Sequence, residues 1–286
     1  MNHLEGYNII KNSYGSINPF VFISEIYNNY YDDFESYITY IRNNDNITFL
    51  IYYIMYSIEI DKKIIQKLEC DIGKTDIYGN TALIYYLSNN SFKHSLEIIE
   101  LLSKEINIYN YYYNTPLMIY IINNNNDINI EIIKYLSDNI GKRDINGSTA
   151  LMYYCLTNKK INYNIIITLL KEVNLINIYG NSALFYFLIN ENLFNLEYYN
   201  YYVEIRLLID EINIYLYPNR ISLCILYIKN FKIIDKNIIC LLYNKNYDKD
   251  ETGKDSLYYY NTYHRNNLKH EILSILDTNI NLKNDI

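Results

Sequence analysis

The sequence predicts an all-α fold, a solenoid of stacked helix-turn-helix repeats joined by short hairpin fingers, and three observations carry that prediction. The phrase DIYGNTALIYYL, Asp76 to Leu87, returns 68 residues later as DINGSTALMYYC, Asp144 to Cys155. One set of leucines (Leu50, Leu83, Leu117, Leu151, Leu184, Leu223, Leu257) is spaced 33, 34, 34, 33, 39 and 34 residues apart. A second set (Leu68, Leu102, Leu136, Leu170, Leu208, Leu242, Leu276) is spaced 34, 34, 34, 38, 34 and 34. Two independent anchors that keep step through seven units mark a repeat protein.

Each unit reads in the same order. A turn built around Asp76 and Gly79 leads to Asn80 or Thr81, either of which can cap free helical N–H groups. The first helix follows with an apolar face, as in LIYYL. An Asn-rich connection such as Asn123 to Asn129 then suits a turn. The second helix has apolar residues at helical spacing, Leu96, Ile99 and Leu102 or Ile132, Ile133 and Leu136. A segment with strand-like residues, KEINIYNYYYN, leads into the next turn. In the first unit the run Ile47 to Ile58 is too short for a membrane span of roughly 20 residues and reads as a buried helix. The unit beginning at Leu184 has 24 residues between its two anchors against 18 or 19 elsewhere. About five extra residues therefore lie within NENLFNLEYYNYY and bulge from one face of the stack. The array occupies residues 45–280 as seven units. Residues 1–44 read as a degenerate N-terminal repeat or cap, with Asn18-Pro19-Phe20 in the motif's place, and residues 281–286 as a polar tail.

Composition excludes several function classes. Half of the 286 residues are apolar, enough for a sizeable core, and the 37 tyrosines with no tryptophan fit AT-rich codon usage. With 25 basic against 32 acidic residues and no dense Lys/Arg cluster, the chain lacks the footprint of a nucleic-acid binder. Cys70, Cys155, Cys224 and Cys240 are far apart and read as free, largely buried thiols of a reducing compartment. The N-terminus, MNHLEGYNIIKNSYG, has no charged n-region or apolar h-region, so a cytoplasmic protein is expected.

Residues able to do chemistry do not assemble in the sequence. His264 and His270 are six apart, which does not match a zinc pair at i, i+4, and they read as surface or capping residues. Gly141-Lys142 lacks the frame of a phosphate-binding loop, and Asp32-Asp33 reads as a solvated surface pair. No catalytic residue, metal or cofactor is expected.

The stretch Asn114 to Leu136 contains Thr115-Pro116-Leu117 at the start of a first helix and IEIIKYL as the second. Asp76, Asn110, Asp144, Asn177 and Asp250 stand five residues before the Thr place. Gly79, Gly147, Gly180 and Gly253 stand two before it, with Asn219 there in the sixth unit. A unit of about 33 residues with this turn, T-P-L and two helices resembles the ankyrin repeat, in a divergent, AT-rich-genome form of the kind protists and large viruses carry. The departures are specific. The family's His after T-P-L is replaced by Ile84, Met118, Met152 and Phe185, which removes its turn-bracing hydrogen bonds. The family's small residue between first helices becomes Tyr86, Tyr120, Tyr154 and Phe187, which would push helices apart and give each buried hydroxyl a need for a partner.

The resemblance implies a concave binding face formed by hairpin tips and first helices. On it lie Lys74, Tyr78, Tyr109, Tyr111, Tyr112, Lys142, Arg143, Asn146, Tyr179, Tyr217 and Arg220. It implies a non-catalytic, monomeric protein-interaction scaffold for one unidentified protein partner, with no nucleic acid and no membrane. The alternative is an adaptor or substrate-recognition subunit of a larger assembly such as a ubiquitin ligase, although the residues beyond Lys269 show no docking motif.

Overall fold

The computed structural model describes residues 46–57, 59–125, 128–194, 201–208, 221–243 and 248–277. The segments expected to form the N-terminal cap and the polar tail lie outside these residues, as do Asn219 and most of the insertion in NENLFNLEYYNYY. The described residues form fourteen α-helices and no strand. The strand-like segments before each turn therefore enter as irregular chain. Contacts divide the chain into two compact units, residues 1–123 and 124–286.

The first unit holds α1 (Phe49–Tyr56), α2 (Lys62–Lys67), α3 (Ala82–Ser88), α4 (Leu96–Leu101) and α5 (Pro116–Asn123). The second holds α6 (Ile130–Tyr135), α7 (Ala150–Thr157), α8 (Tyr163–Thr168), α9 (Ala183–Ile189), α10 (Tyr202–Leu208), α11 (Leu223–Asn230), α12 (Lys236–Leu242), α13 (Ser256–Tyr263) and α14 (His270–Leu276). In the first unit α3 packs on α1 and α5, while α2 packs on α4. In the second, α7, α9, α11 and α13 pack in succession as one row, and α6, α8, α10, α12 and α14 as another. Among the described residues no helix is long and apolar enough to cross a membrane.

Side-chain caps start the first helices. The hydroxyls of Thr48, Thr81, Thr115, Thr149, Ser182 and Ser222 accept from the N–H three residues on, and the Asp255 carboxylate does the same for Tyr258. Such a cap contributes about 1 kcal/mol and sets where the helix begins. Two residues after the cap comes the core anchor, and Leu50, Leu83, Leu117, Leu151 and Leu184 are fully buried there. Cap positions correct the register of the sixth unit. Ser222 is its cap, so Cys224 is the fully buried anchor and Leu223 stands one place earlier. The second anchor of the fourth unit is likewise Leu169, fully buried, whereas Leu170 is exposed. Cys155 and Cys224 are buried, but Cys70 is half-buried and Cys240 exposed, so the four thiols do not share one environment.

The tyrosines in the small-residue position are core residues with satisfied hydroxyls. Tyr53, Tyr86, Tyr120, Tyr154, Tyr227 and Tyr260 are buried. The hydroxyls of Tyr53, Tyr86, Tyr154, Tyr227 and Tyr260 accept the backbone N–H of Asp61, Ser95, Asn162, Asp235 and Lys269, at 2.6 to 3.0 Å. Each acceptor meets the residue that starts the second helix of the same hairpin. Burying a ring stabilises by roughly 2–3 kcal/mol, and an orphaned buried hydroxyl costs about 1–3 kcal/mol. The N–H partner therefore decides whether tyrosine is tolerated, and the first helices still pack row on row.

Buried glutamates close two of the hairpins. Glu105, fully buried, accepts Gly73 N–H at 2.8 Å and Leu83 N–H at 2.6 Å. Glu172 does the same with Gly141 N–H at 2.7 Å and Leu151 N–H at 2.6 Å. Each carboxylate thus ties the end of a second helix to the start of its own first helix and to the segment ahead of the turn. The helix dipole favours an anion there, but desolvation pushes both carboxyls above the ordinary glutamate range.

Candidate functional site: the hairpin tips

Each tip is a tight turn closed by two backbone bonds. Asp76 N–H donates to Asn80 O at 3.0 Å and Gly79 N–H to Asp76 O at 3.1 Å. The pattern repeats around Asn110, Asp144, Asn177 and Asp250. Gly79, Gly147, Gly180 and Gly253 have φ between 73° and 79°, the left-handed region that glycine enters without penalty. In the second tip that place is taken by Tyr113, with φ 59°.

The Asx side chain organises the turn. Asp76 Oδ1 accepts the N–H groups of Tyr78 and Asn80, both at 2.8 Å. Its Oδ2 accepts from the Tyr85 hydroxyl at 2.7 Å. Asp144 is braced by Tyr153 at 2.6 Å and Asp250 by Tyr259 at 2.5 Å, while Asn177 Nδ2 donates to the Tyr186 hydroxyl at 2.8 Å. The sequence expectation that turn bracing is lost is thereby corrected: a tyrosine nine residues after the Asx supplies it. Burial, and after it the Asp76 partner, push the Tyr85 hydroxyl up to about 12. Asn110 has Ile119 at the corresponding place, and its Nδ2 donates instead to Asn80 Oδ1 at 3.1 Å.

Within each unit neighbouring tips touch through backbone. In the first unit Tyr111 N–H donates to Tyr78 O at 2.9 Å. The Tyr111 ring covers Gly79 so closely that a Cβ there would lie 2.9 Å from its Cδ1. Tyr109 and Tyr113 stack with centroids 5.3 Å apart. Tyr78, Tyr109, Tyr111, Tyr112 and Tyr113 are all more than half exposed, so two adjacent tips present five rings to solvent. Lys74 is turned away from this role, since it is half-buried and pairs with the buried Asp71 carboxylate at 2.8 Å.

In the second unit Ile178 N–H donates to Asn146 O at 2.9 Å. Arg143 Nη1 donates to Ile176 O at 2.8 Å, so its exposed guanidinium is held along the neighbouring tip. Lys142 and Tyr179 are exposed, and Asn146 is half-buried with its backbone engaged. Tyr217 and Arg220 lie outside the described residues. Two tip residues were missed by sequence reasoning: Ile145 and Ile178 are more than half exposed. Both follow the Asx residue directly, where the turn points the side chain outward, but isoleucine there reads as core.

Two of the histidines bond backbone carbonyls. His94 Nε2 lies 2.8 Å from Tyr86 O, and His264 Nε2 lies 2.8 Å from Ile228 O, bridging α13 to α11. Among the described residues no group of three or more His, Cys, Asp or Glu is arranged to hold a metal ion. Chemically, the tips offer flat rings, phenolic hydroxyls and one fixed guanidinium. No protein-family model matches the chain, and comparison with curated proteins gives no match either.

Proposed function

We propose that the chain is a non-catalytic protein-interaction scaffold, an ankyrin-like solenoid whose hairpin tips bind a protein partner. The supporting observation is the set of five exposed tyrosines, Tyr78, Tyr109, Tyr111, Tyr112 and Tyr113, on two adjacent tips fixed by backbone bonds. Tyrosine is enriched at binding hot spots because it supplies large contact area with few rotatable bonds. The backbone beneath the rings is already ordered by the Asp76 and Asn110 side chains, with Tyr85 bracing the Asp76 turn, so little conformational entropy remains to be lost on binding. The second unit carries its own tip row, with Arg143, Ile145, Ile178 and Tyr179 exposed.

The experiment is affinity capture with the full chain, the variant Tyr111→Ala/Tyr112→Ala, the variant Arg143→Ala, and Lys63→Ala on the exposed side of α2 as a control. A partner that is retained by the control and lost with the tip variants supports the reading. A partner profile unchanged by the tip variants removes the tips from the interface.

A further inference from the structure

We propose that the outer face of α8 and α10, in the second unit, is a separate docking surface for an amphipathic helical segment whose apolar stripe is bordered by acidic side chains. The second helices elsewhere turn polar, ion-paired faces outward. Lys62 pairs with Glu97 across α2 and α4 at 3.3 Å, Lys236 with Glu271 across α12 and α14 at 3.2 Å, and Lys134 with Glu131 on α6 at 2.8 Å. α8 breaks this pattern. Ile165, Ile166 and Leu169 are buried in the core, while Tyr163, Ile167 and Leu170 are 46%, 49% and 44% exposed. Tyr163 and Ile167 stand at i and i+4 on the side of α8 away from Ile165 and Ile166, and Leu170 opens the short 3-10 turn that follows. α10 packs beside α8 and adds Val203, also about half exposed, next to Tyr202. Asn164 and Thr168 give α8 a polar edge, and the Tyr163 and Ile167 side is left about half exposed.

Charge selects the occupant. Lys160 precedes α8, Lys171 follows Leu170 directly, and Arg206 stands three residues after Val203. All are exposed, and among the described residues none has an acidic group within 4 Å. The acids on the same elements, Glu172 and Glu204, are buried, and Glu131 is already paired. Asp138 is the nearest exposed acid in sequence on the α6 side. This apolar side therefore has a cationic border on a chain of net charge −7. A helix with apolar anchors at i, i+3 or i+4 and i+7 matches it, and acidic borders match its rim.

The test uses the full chain and a fluorescent synthetic peptide of about 18 residues, with leucines at i, i+3, i+4 and i+7 and glutamates on both borders. Anisotropy is expected to show saturable binding that weakens as salt rises. Ile167→Glu and Val203→Glu, both at exposed positions, are each expected to weaken it about tenfold, as is Lys171→Glu/Arg206→Glu. Tyr111→Ala/Tyr112→Ala is expected to leave it unchanged, which separates this surface from the tips. The proposal is overturned if the glutamate-bordered peptide fails to saturate, or if a lysine-bordered peptide binds equally well. Insensitivity to Ile167→Glu, or preferential binding of the chain to phosphatidylserine vesicles, also overturns it.

Discussion

The hydroxyl of Tyr154 accepts the backbone N–H of Asn162 at 2.6 Å, so a first helix grips the opening residue of the second helix in its own hairpin. Four further pairs repeat the contact. Phe187 occupies the equivalent place in the repeat whose connection is longer, and it packs edge-on against Tyr201 with centroids 5.3 Å apart. The hydroxyl is thus present where a short connection delivers an N–H to it, and is missing in the one repeat with a longer connection. Tyr154→Phe is expected to cost about 1–2 kcal/mol by stranding that N–H. Phe187→Tyr is expected to destabilise as well, because it adds a hydroxyl at a fully buried ring. Denaturant midpoints at constant m-value measure both. A neutral Tyr154→Phe would show that water serves Asn162 equally well.

Asp144 and Tyr153 form the second recurring pair, and a double-mutant cycle isolates it. Asp144→Ala and Tyr153→Phe are expected to couple by about 1 kcal/mol or more. The Asn110 repeat supplies the reverse experiment. Installing the missing brace with Asn110→Asp/Ile119→Tyr is expected to recover stability relative to Asn110→Asp alone. Additive single changes in thermal unfolding would reduce the brace to a coincidence of geometry.

The helices, their caps and the Asx-to-glycine turns were legible in the sequence because they rest on local chemistry at fixed spacing. Thr81, Gly79 and Leu83 each announce a role through neighbours a few residues away. Register was misread where two adjacent residues were both suitable. Leu169 beside Leu170, and Leu223 beside Cys224, cannot be separated by hydropathy, and only the position of the cap decides. The bracing tyrosines were missed because their partner is nine residues distant and they stand one place after Ile84, Met152 and Phe185, where the brace was expected. The apolar outer face of α8 was hidden for a related reason: in YNIIIT every isoleucine looks like core, and packing alone shows that Ile167 points away. Tip residues Ile145 and Ile178 were passed over on the same ground.

Tyr113 holds φ 59° at the turn position that glycine fills in the Asp76, Asp144, Asn177 and Asp250 tips. A left-handed conformation costs a non-glycine residue about 1–2 kcal/mol. Stacking on Tyr109 offsets part of this, by about 0.5 kcal/mol at an exposed site. Tyr113→Gly is therefore expected to raise stability by up to about 1 kcal/mol in chemical denaturation. If the tips bind a partner, the same variant loses affinity, since it removes one of the five rings. Greater stability together with weaker capture is the expected signature. Lower stability would show that the ring contact outweighs the backbone strain.

Glu105 and Glu172 give the fold a pH dependence whose sign follows from their burial. Desolvation raises both carboxyls above the ordinary glutamate value, against the hydrogen bonds from Gly73, Leu83, Gly141 and Leu151. The folded state therefore binds these protons more tightly than the unfolded chain. Their contribution to stability is fully present below the ordinary glutamate value and is lost as pH rises through the raised values. Replacing both by glutamine removes this dependence. It also costs about 1–3 kcal/mol at each site, because the two N–H groups reach different carboxylate oxygens and the amide nitrogen that replaces one of them meets a donor. Melting temperatures from pH 4.5 to 7 are expected to show the wild-type advantage over Glu105→Gln/Glu172→Gln shrinking as pH rises. An advantage that grows over that interval would mean the four N–H donors outweigh desolvation and hold the carboxylates ionised. The two glutamates would then be anion sites at helix starts, with burial a secondary cost.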